Sequence, residues 1–157
     1  MKYFQISFVL FLLSACVAPA PQLTPLEIQS IQTRDFSESK DVIFASVMSV
    51  FQDLGYSVNS ADKDTGLITA ESPARSSNLG ALIVSSSGMT EVRQTKATAF
   101  IETIGNTTKV RLNFVLMSSR SFGYGQNDRH DTPLLDSNIY QNAFERIENA
   151  VFVRSSH

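Results

Sequence analysis

The chain has 157 residues, of which 13 are Lys or Arg and 15 are Asp or Glu, so its net charge is −2. This near balance, without a block of like charge, argues against a nucleic-acid-binding surface. The one cysteine excludes an internal disulfide and a cysteine-based metal cluster, and eleven phenylalanines are enough to build the core of one ordinary domain.

The N-terminus is predicted to be a cleaved export signal. Lys2 supplies a positive charge, and residues 4–13 are almost wholly apolar. This run is shorter than the roughly 20 residues that a membrane-spanning helix needs. A charged start, about 7–15 apolar residues and then small residues are typical of a signal peptide. We therefore expect residues 1–15 to be removed.

The end of the apolar run points to lipid attachment. Its residues, Leu13-Ser14-Ala15-Cys16, resemble the lipobox of bacterial lipoproteins, in which the cysteine becomes residue one and carries acyl chains such as palmitate. The resemblance implies a permanent membrane anchor on Cys16. Val17 after it implies the outer membrane and a domain that faces the periplasm, with the inner membrane and the cell surface as alternatives. The other interpretation is an ordinary secretory signal that ends in a cysteine by chance.

A proline-rich linker is predicted to connect the lipid to the folded domain. Residues 16–25 include three prolines, which favour an extended chain of about 3 Å per residue. The linker therefore spans only a few tens of ångströms, and the domain, residues 26–157, is expected to lie close to the bilayer.

Five strands and two helices are predicted within this domain. The strands cover residues 26–36, 56–61, 67–72, 91–104 and 107–118. The helices are recognised by apolar residues of helical period. One runs from Asp41 to Leu54, and the other follows a cap at Asp136 and has an apolar stripe from Ile139 to Val151. Gly55 stands where a C-cap glycine belongs.

The two longest strands are predicted to form a hairpin around Gly105-Asn106, since glycine first in a two-residue loop suits a type II′ turn. Pairing Ile104 with Thr107 fixes the register. The opposed pairs are then Ala97–Phe114, Ala99–Leu112 and Ile101–Val110 on an apolar face, and Glu102–Lys109 on the other face. Apolar matching and opposite charge thus agree on one register.

Each helix has one apolar stripe, so both can cover the same face of the sheet. The predicted fold is α+β, an antiparallel sheet of about five strands with two helices on one face. This element order resembles the helix-grip domains of BamC, a lipoprotein of the outer-membrane barrel-assembly machinery, and is similar to that of LptE, a lipoprotein of the lipopolysaccharide translocon. The resemblance covers residues 26–152, and it implies no functional residue because it lies in element order and the lipobox.

Two long connections, residues 73–90 and 119–135, are predicted to lie at one end of the sheet, opposite the two tight turns. Long loops with apolar content often bind partners or lipid headgroups. The proposed contact residues are Leu79, Leu82, Ile83, Phe122 and Tyr124. The alternative is that these side chains pack on the core.

The sequence predicts no catalytic residue, cofactor or metal ion. Cys16 is consumed by lipid, and His157 is the last residue. Asp128-Arg129-His130-Asp131 is interpreted as a solvated loop rather than a metal or acid–base site, since zinc needs three or four ligands at fixed spacing. Asp62-Lys63-Asp64 is interpreted as a plain turn rather than a calcium loop.

Two functions remain from the sequence. The first is a non-enzymatic accessory or binding component of an envelope assembly, secretion or transport system, anchored through Cys16 and bound to an envelope protein. The second is a lipoprotein that holds a lipid or small ligand in a cavity, of the order of several hundred cubic ångströms, between helix and sheet. An enzyme ranks third.

Overall fold

The computed structural model describes residues 23–78, 90–121 and 127–156. These residues form an α+β structure with three helices and seven strands, where the sequence predicted two helices and about five strands. The helices are α1 (Pro25–Gln32), α2 (Lys40–Asp53) and α3 (Ser137–Ser155). The strands are β1 (Thr33–Phe36), β2 (Ser57–Asp62), β3 (Leu67–Glu71), β4 (Arg75–Asn78), β5 (Thr90–Ile104), β6 (Thr107–Ser121) and β7 (Asn127–Pro133).

The predicted first strand is wrong over most of its length, because residues 25–32 form helix α1. Thr24 is the N-cap. Its hydroxyl accepts a hydrogen bond from the Glu27 N–H (3.3 Å), and the Glu27 carboxylate accepts one from the Thr24 N–H (2.7 Å). This capping box, with Pro25 in the first turn, favours a helix start. Only residues 33–36 remain extended, as β1.

Helix α2 confirms the predicted amphipathic helix to within one residue at each end. Ser39 is its N-cap residue, although the Ser39 hydroxyl makes no capping hydrogen bond. Gly55 follows the helix with φ +82°, a left-handed conformation that glycine adopts without steric cost. The helix therefore ends here, and the chain turns into β2.

The strands form one sheet in the order β1-β6-β5-β3-β2, with β4 also beside β5 and β7 also beside β6. β5 and β6 are the long central pair. Along the outer edge of β5, β3 pairs with residues 96–100 and β4 with residues 90–93. Along the outer edge of β6, β1 pairs with residues 108–111 and β7 with residues 115–121.

On each outer edge of the β5–β6 pair, one neighbouring strand ends and another begins at nearly the same level, beside Thr95 of β5 and Phe114 of β6. We call this level the seam. On the β5 side, the Ser72 N–H donates to the Thr95 carbonyl (2.8 Å), and the Thr95 N–H donates to the Ser72 hydroxyl (2.9 Å). On the β6 side, the Phe114 N–H donates to the Tyr140 hydroxyl (3.4 Å), and the Phe114 carbonyl accepts from the Leu134 N–H (2.9 Å). These hydrogen bonds pair the backbone N–H and carbonyl groups of Thr95 and Phe114, which no neighbouring strand reaches.

The register of the β5–β6 hairpin is confirmed. The predicted opposed pairs are all present: Ala97–Phe114, Ala99–Leu112, Ile101–Val110 and Glu102–Lys109. Gly105 has φ +61°, as the predicted type of turn requires at its first central position. Lys109 also lies opposite Asp35 of β1, and its Nζ is 3.8 Å from Asp35 Oδ1.

Helices α2 and α3 cover one face of the sheet, which we call the helix side, and the opposite face is the outer side. The buried strand residues on the helix side are Ile68, Ala70, Ala97, Ala99, Ile101, Val110, Leu112 and Phe114. They share one core with the apolar stripes of both helices. At its centre, the Phe114 ring meets Tyr140 of α3 (centroids 5.2 Å apart) and Phe51 of α2 (6.5 Å).

The connection predicted over residues 119–135 is largely strand. β6 continues to Ser121, and β7 folds back along it with Ser121 opposite Asn127. All seven residues of β7 are exposed, so this strand lacks the apolar alternation by which strands are recognised in a sequence. In the same way, residues 75–78 of the connection predicted over residues 73–90 form β4.

The turn at residues 62–66 is docked against the start of α2. Lys40 Nζ donates to the Asp64 carbonyl (2.9 Å), and Lys63 Nζ lies 2.9 Å from Asp41 Oδ2. Gly66, with φ +79°, lies so close to β5 that an added Cβ would collide with the Ile101 carbonyl oxygen. This position therefore requires glycine for two independent reasons.

Candidate functional site

The residues that the sequence proposed for lipidation and partner contact lie outside the described ranges; they are Cys16, Leu79, Leu82, Ile83, Phe122 and Tyr124. The described residues that flank the last five meet at one end of the sheet. Thr90, the first residue of β5, lies opposite both Asn78 and Ser121, and Ser121 also lies opposite Asn127. The prediction that both connections leave the same end is confirmed for these flanking residues.

We call this part of the sheet the open end; it comprises β4, residues 90–95 of β5, residues 116–121 of β6, and β7. The part beneath α2 and α3 is the covered end. β1 lies in the covered end, because it begins at Thr33, opposite Arg111.

The Asp128-Arg129-His130-Asp131 run belongs to β7 and alternates between the two sides of the sheet. Asp128 lies opposite Arg120, and Arg129 Nε is 3.4 Å from Asp131 Oδ1. Because the four side chains point in two directions, they do not converge on one point. In the described ranges, no group of three or more His, Cys, Asp or Glu side chains could hold a metal ion.

Asp62-Lys63-Asp64 forms a turn, as predicted. The Asp62 carboxylate accepts hydrogen bonds from the N–H groups of Asp64 (2.9 Å) and Thr65 (3.3 Å). The hydrogen bonds from Thr65, and to a smaller extent the one from Asp64, hold the pKa of the Asp62 carboxyl below its ordinary value. The carboxylate thus has a structural role in the turn.

The open end contains a carboxylate held between two guanidinium groups. Glu91 Oε2 lies 3.0 Å from Arg93 Nη2, and Glu91 Oε1 lies 3.3 Å from Arg120 Nε. The Glu91 side chain is only 5% exposed. The hydrogen bond from Arg93, and then that from Arg120, holds the pKa of Glu91 below its ordinary value against the opposing effect of desolvation. Glu91 thereby fixes the position of both arginines.

Arg75 of β4 lies directly opposite Arg93 of β5. Side chains in such a pair have Cβ atoms about 4.5–5.5 Å apart, and like charges in this arrangement destabilise the sheet. Among the described residues, no carboxylate oxygen lies within 4.0 Å of the Arg75 guanidinium. All 15 acidic residues of the chain fall within the described ranges, so no Asp or Glu elsewhere in the chain is left to pair with it.

Arg75 and Arg93 line a groove of about 710 Å³, which we call the arginine groove. It lies where the open end meets the C-terminal end of α2. Its apolar wall is formed by Leu54, Tyr56 and Leu116, and its polar lining includes Ser72, Gln94 and Thr95. Desolvation raises the pKa of the half-buried Tyr56 phenol. The groove thus combines two cationic groups with apolar surface and neutral hydrogen-bonding groups.

Two other surface pockets are balanced in charge. A pocket of about 270 Å³ beside the open end is lined by Arg120, Asp128 and His130, together with Ser118. A broad groove of about 980 Å³ between α2 and α3 has Asp41 and Asp53 on one wall and Arg146 and Arg154 on the other. Of these sites, the arginine groove has the clearest excess of positive charge.

The sequence contained part of the information that defines this site. The predicted register, continued two residues beyond Ser118, places Glu91 opposite Arg120, as the structure does. The predicted strand ended too early for this pair to be recognised. Arg75 had no such signal, because β4 is a short, polar strand within a predicted loop.

The described residues thus define an α+β domain with an open, mostly antiparallel sheet. None of the described helices is long and apolar enough to cross a membrane. No protein-family model matches the chain, and no curated protein matches it.

Among solved structures, the chain is similar to a DUF4468 family protein from Bacteroides ovatus ATCC 8483, with a TM-score of 0.32 and 9% sequence identity. The match covers 72% of this chain and 66% of that chain, slightly under two thirds of its length. At this TM-score, the likeness assigns neither a family nor a function.

Proposed function

We propose that this protein is a lipid-anchored, periplasm-facing component of the bacterial envelope that binds a partner, without enzymatic activity, through the open end of its sheet. The observation that carries the proposal is Leu13-Ser14-Ala15-Cys16 at the end of an apolar run of signal-peptide length. Acyl chains on Cys16 hold the domain at the outer membrane. The partner is a protein of an envelope assembly, secretion or transport system.

The placement of the open end supports a binding role. It lies apart from the hydrophobic core, since the described core residues all belong to the covered end and its helices. Asn78 and Ser121, which directly precede the segments with the proposed contact residues Leu79, Leu82, Ile83, Phe122 and Tyr124, both lie at this end. Loops positioned by a rigid scaffold are where binding residues concentrate.

The second candidate is a lipoprotein that holds a lipid or small ligand between helix and sheet. Phe51, Phe114 and Tyr140 occupy the centre of that space, with neighbouring ring centroids 5.2 and 6.5 Å apart. Such packing of the described residues favours a surface site over an interior one. We therefore place any small ligand at the surface of the same protein, as a complement to partner binding.

The anchor is tested by Cys16→Ala. We expect the variant to lose palmitate labelling and to be released from membranes or to keep its uncleaved signal, because no other cysteine can accept the lipid. The measurement is metabolic palmitate labelling followed by membrane fractionation. Val17→Ala is the matched control, and it should remain labelled and membrane-bound. Palmitate that persists in Cys16→Ala would contradict the proposal.

A further inference from the structure

Arg75 and Arg93, the like-charged pair in the arginine groove, are placed to bind an anion between them. Arg93 shares Glu91 with Arg120, whereas Arg75 has no described carboxylate within 4.0 Å. The helix side of the open end has three guanidinium groups (Arg75, Arg93, Arg120) but only two carboxylates, those of Glu91 and Asp128. An added monoanion between Arg75 and Arg93 would balance this surface and relieve their repulsion.

The two arginines can share one anion. Their backbones are directly opposed across β4 and β5, so both side chains start about 5 Å apart on one side of the sheet. A guanidinium presents a planar fork of N–H donors that matches the oxygens of a phosphate group. Glu91 holds Arg93 in place by a 3.0 Å contact, so part of the site is already ordered.

The groove also offers room and apolar contact beside the two charges. Its volume of about 710 Å³ falls within the range of about 300–1,000 Å³ that is usual for small-molecule sites. Leu54, Tyr56 and Leu116 form an apolar wall next to the arginines. A ligand that has a monoanionic group attached to glycerol and hydrocarbon fits this combination better than a free inorganic ion.

We propose that Arg75 and Arg93 bind the phosphodiester of an anionic phospholipid in the membrane to which the protein is anchored. The proposal rests on the proposed lipid anchor, because the short linker is what brings headgroups within reach. Seven residues separate Cys16 from the Thr24 cap of α1, and a chain of that length cannot span more than roughly 25 Å, which limits the distance between the domain and the anchor. The tether thereby keeps the local headgroup concentration high.

The experiment uses the processed, lipidated protein in nanodiscs of phosphatidylcholine alone or of phosphatidylcholine mixed with phosphatidylglycerol. Hydrogen–deuterium exchange of the amides in β4 and residues 90–95 is compared with that in β2 and β3, which serve as an internal reference. Phosphatidylglycerol should slow exchange in the open end by about tenfold, the scale of a charge-assisted hydrogen bond. Exchange in β2 and β3 should not change.

Variants separate this site from general electrostatic attraction. Arg75→Gln and Arg93→Gln should each abolish the protection, and Arg75→Lys should retain part of it, because it keeps the charge but loses the planar fork. Arg129→Gln is the matched control, since Arg129 is also at the open end but on the outer side of the sheet. It should leave the protection intact.

Three results would overturn the proposal. The first is equal exchange in the two kinds of nanodisc, and the second is a loss of protection in Arg129→Gln as large as in Arg75→Gln. The third is equal protection by inorganic phosphate, or by an acidic peptide, on phosphatidylcholine discs, which would assign the groove to another anion. Failure of the anchor is distinguishable, because protein without lipid would not be recovered in nanodiscs at all.

Discussion

The two ends of the β5–β6 hairpin share one backbone ladder but differ in what surrounds it. In the covered end, Ala97 and Phe114 lie opposite each other and are 0% and 2% exposed, because two helices pack on them. A few residues along the same strands, Glu91 and Arg120 lie opposite each other as an ion pair, outside the hydrophobic core. Strand pairing therefore fixes which residues meet, whereas the covering elements decide whether a pair stabilises the fold or forms a surface for binding.

The largest expected effect tests whether stability resides in the covered end. Phe114→Ala should lower the free energy of unfolding by about 3–5 kcal/mol, because it leaves a cavity among Phe51, Tyr56 and Tyr140. Leu116→Ala is the matched control, two residues further along on the same side but half-buried at the open end. It should cost less than about 1.5 kcal/mol. If chemical denaturation shows the same loss of unfolding free energy for both variants, stability does not reside in the covered end.

A second substitution sharpens the comparison within the covered end. Gly66→Ala should destabilise the protein by more than about 2 kcal/mol, since the left-handed backbone alone costs about 1–2 kcal/mol and the new Cβ would collide with the Ile101 carbonyl oxygen. Gly55→Ala is the control, because Gly55 has a similar φ and no atom within 4 Å of the added Cβ. The difference between their denaturation midpoints measures the collision alone. If both variants lose the same stability, the close approach of the turn to β5 is wrong.

The smallest effect concerns the charge cluster of the open end and depends on pH. Hydrogen bonds from Arg93 and then Arg120 lower the folded-state pKa of Glu91 below its ordinary value of 4.5. Its stabilising contribution is therefore fully present above the unfolded-state pKa, and it is lost as the pH falls through the lower, folded-state pKa. The stability difference between the natural chain and Glu91→Gln should be constant near neutral pH and should shrink in acid. Thermal unfolding from pH 7 downward measures it, and a difference that grows in acid would contradict the assignment.

The sequence predicted the parts of the fold in which apolar periodicity is strong. The hairpin register, α2 and α3 were predicted because alternation and helical stripes reflect burial against a core. For α1 two signals in the sequence disagree: Thr24, Pro25 and Glu27 form a capping box that indicates a helix, whereas the partial alternation over residues 26–36 predicts a strand. β4 and β7 have no such pattern for a physical reason. β4 is short and polar and β7 is exposed along its whole length, so only pairing to β5 and β6 makes them strands.

The seam is a level at which the sheet could be lengthened by inserted residues. Because the strands on both outer edges end at the level of Thr95 and Phe114, the part beyond it is joined to the rest mainly through β5 and β6. Inserting two residues into each of these strands at the seam would move the open end outward by about 6.6 Å. An even number keeps every later side chain on its original side of the sheet. Homologous chains could therefore differ in reach, in steps of two residues, around an unchanged helical core.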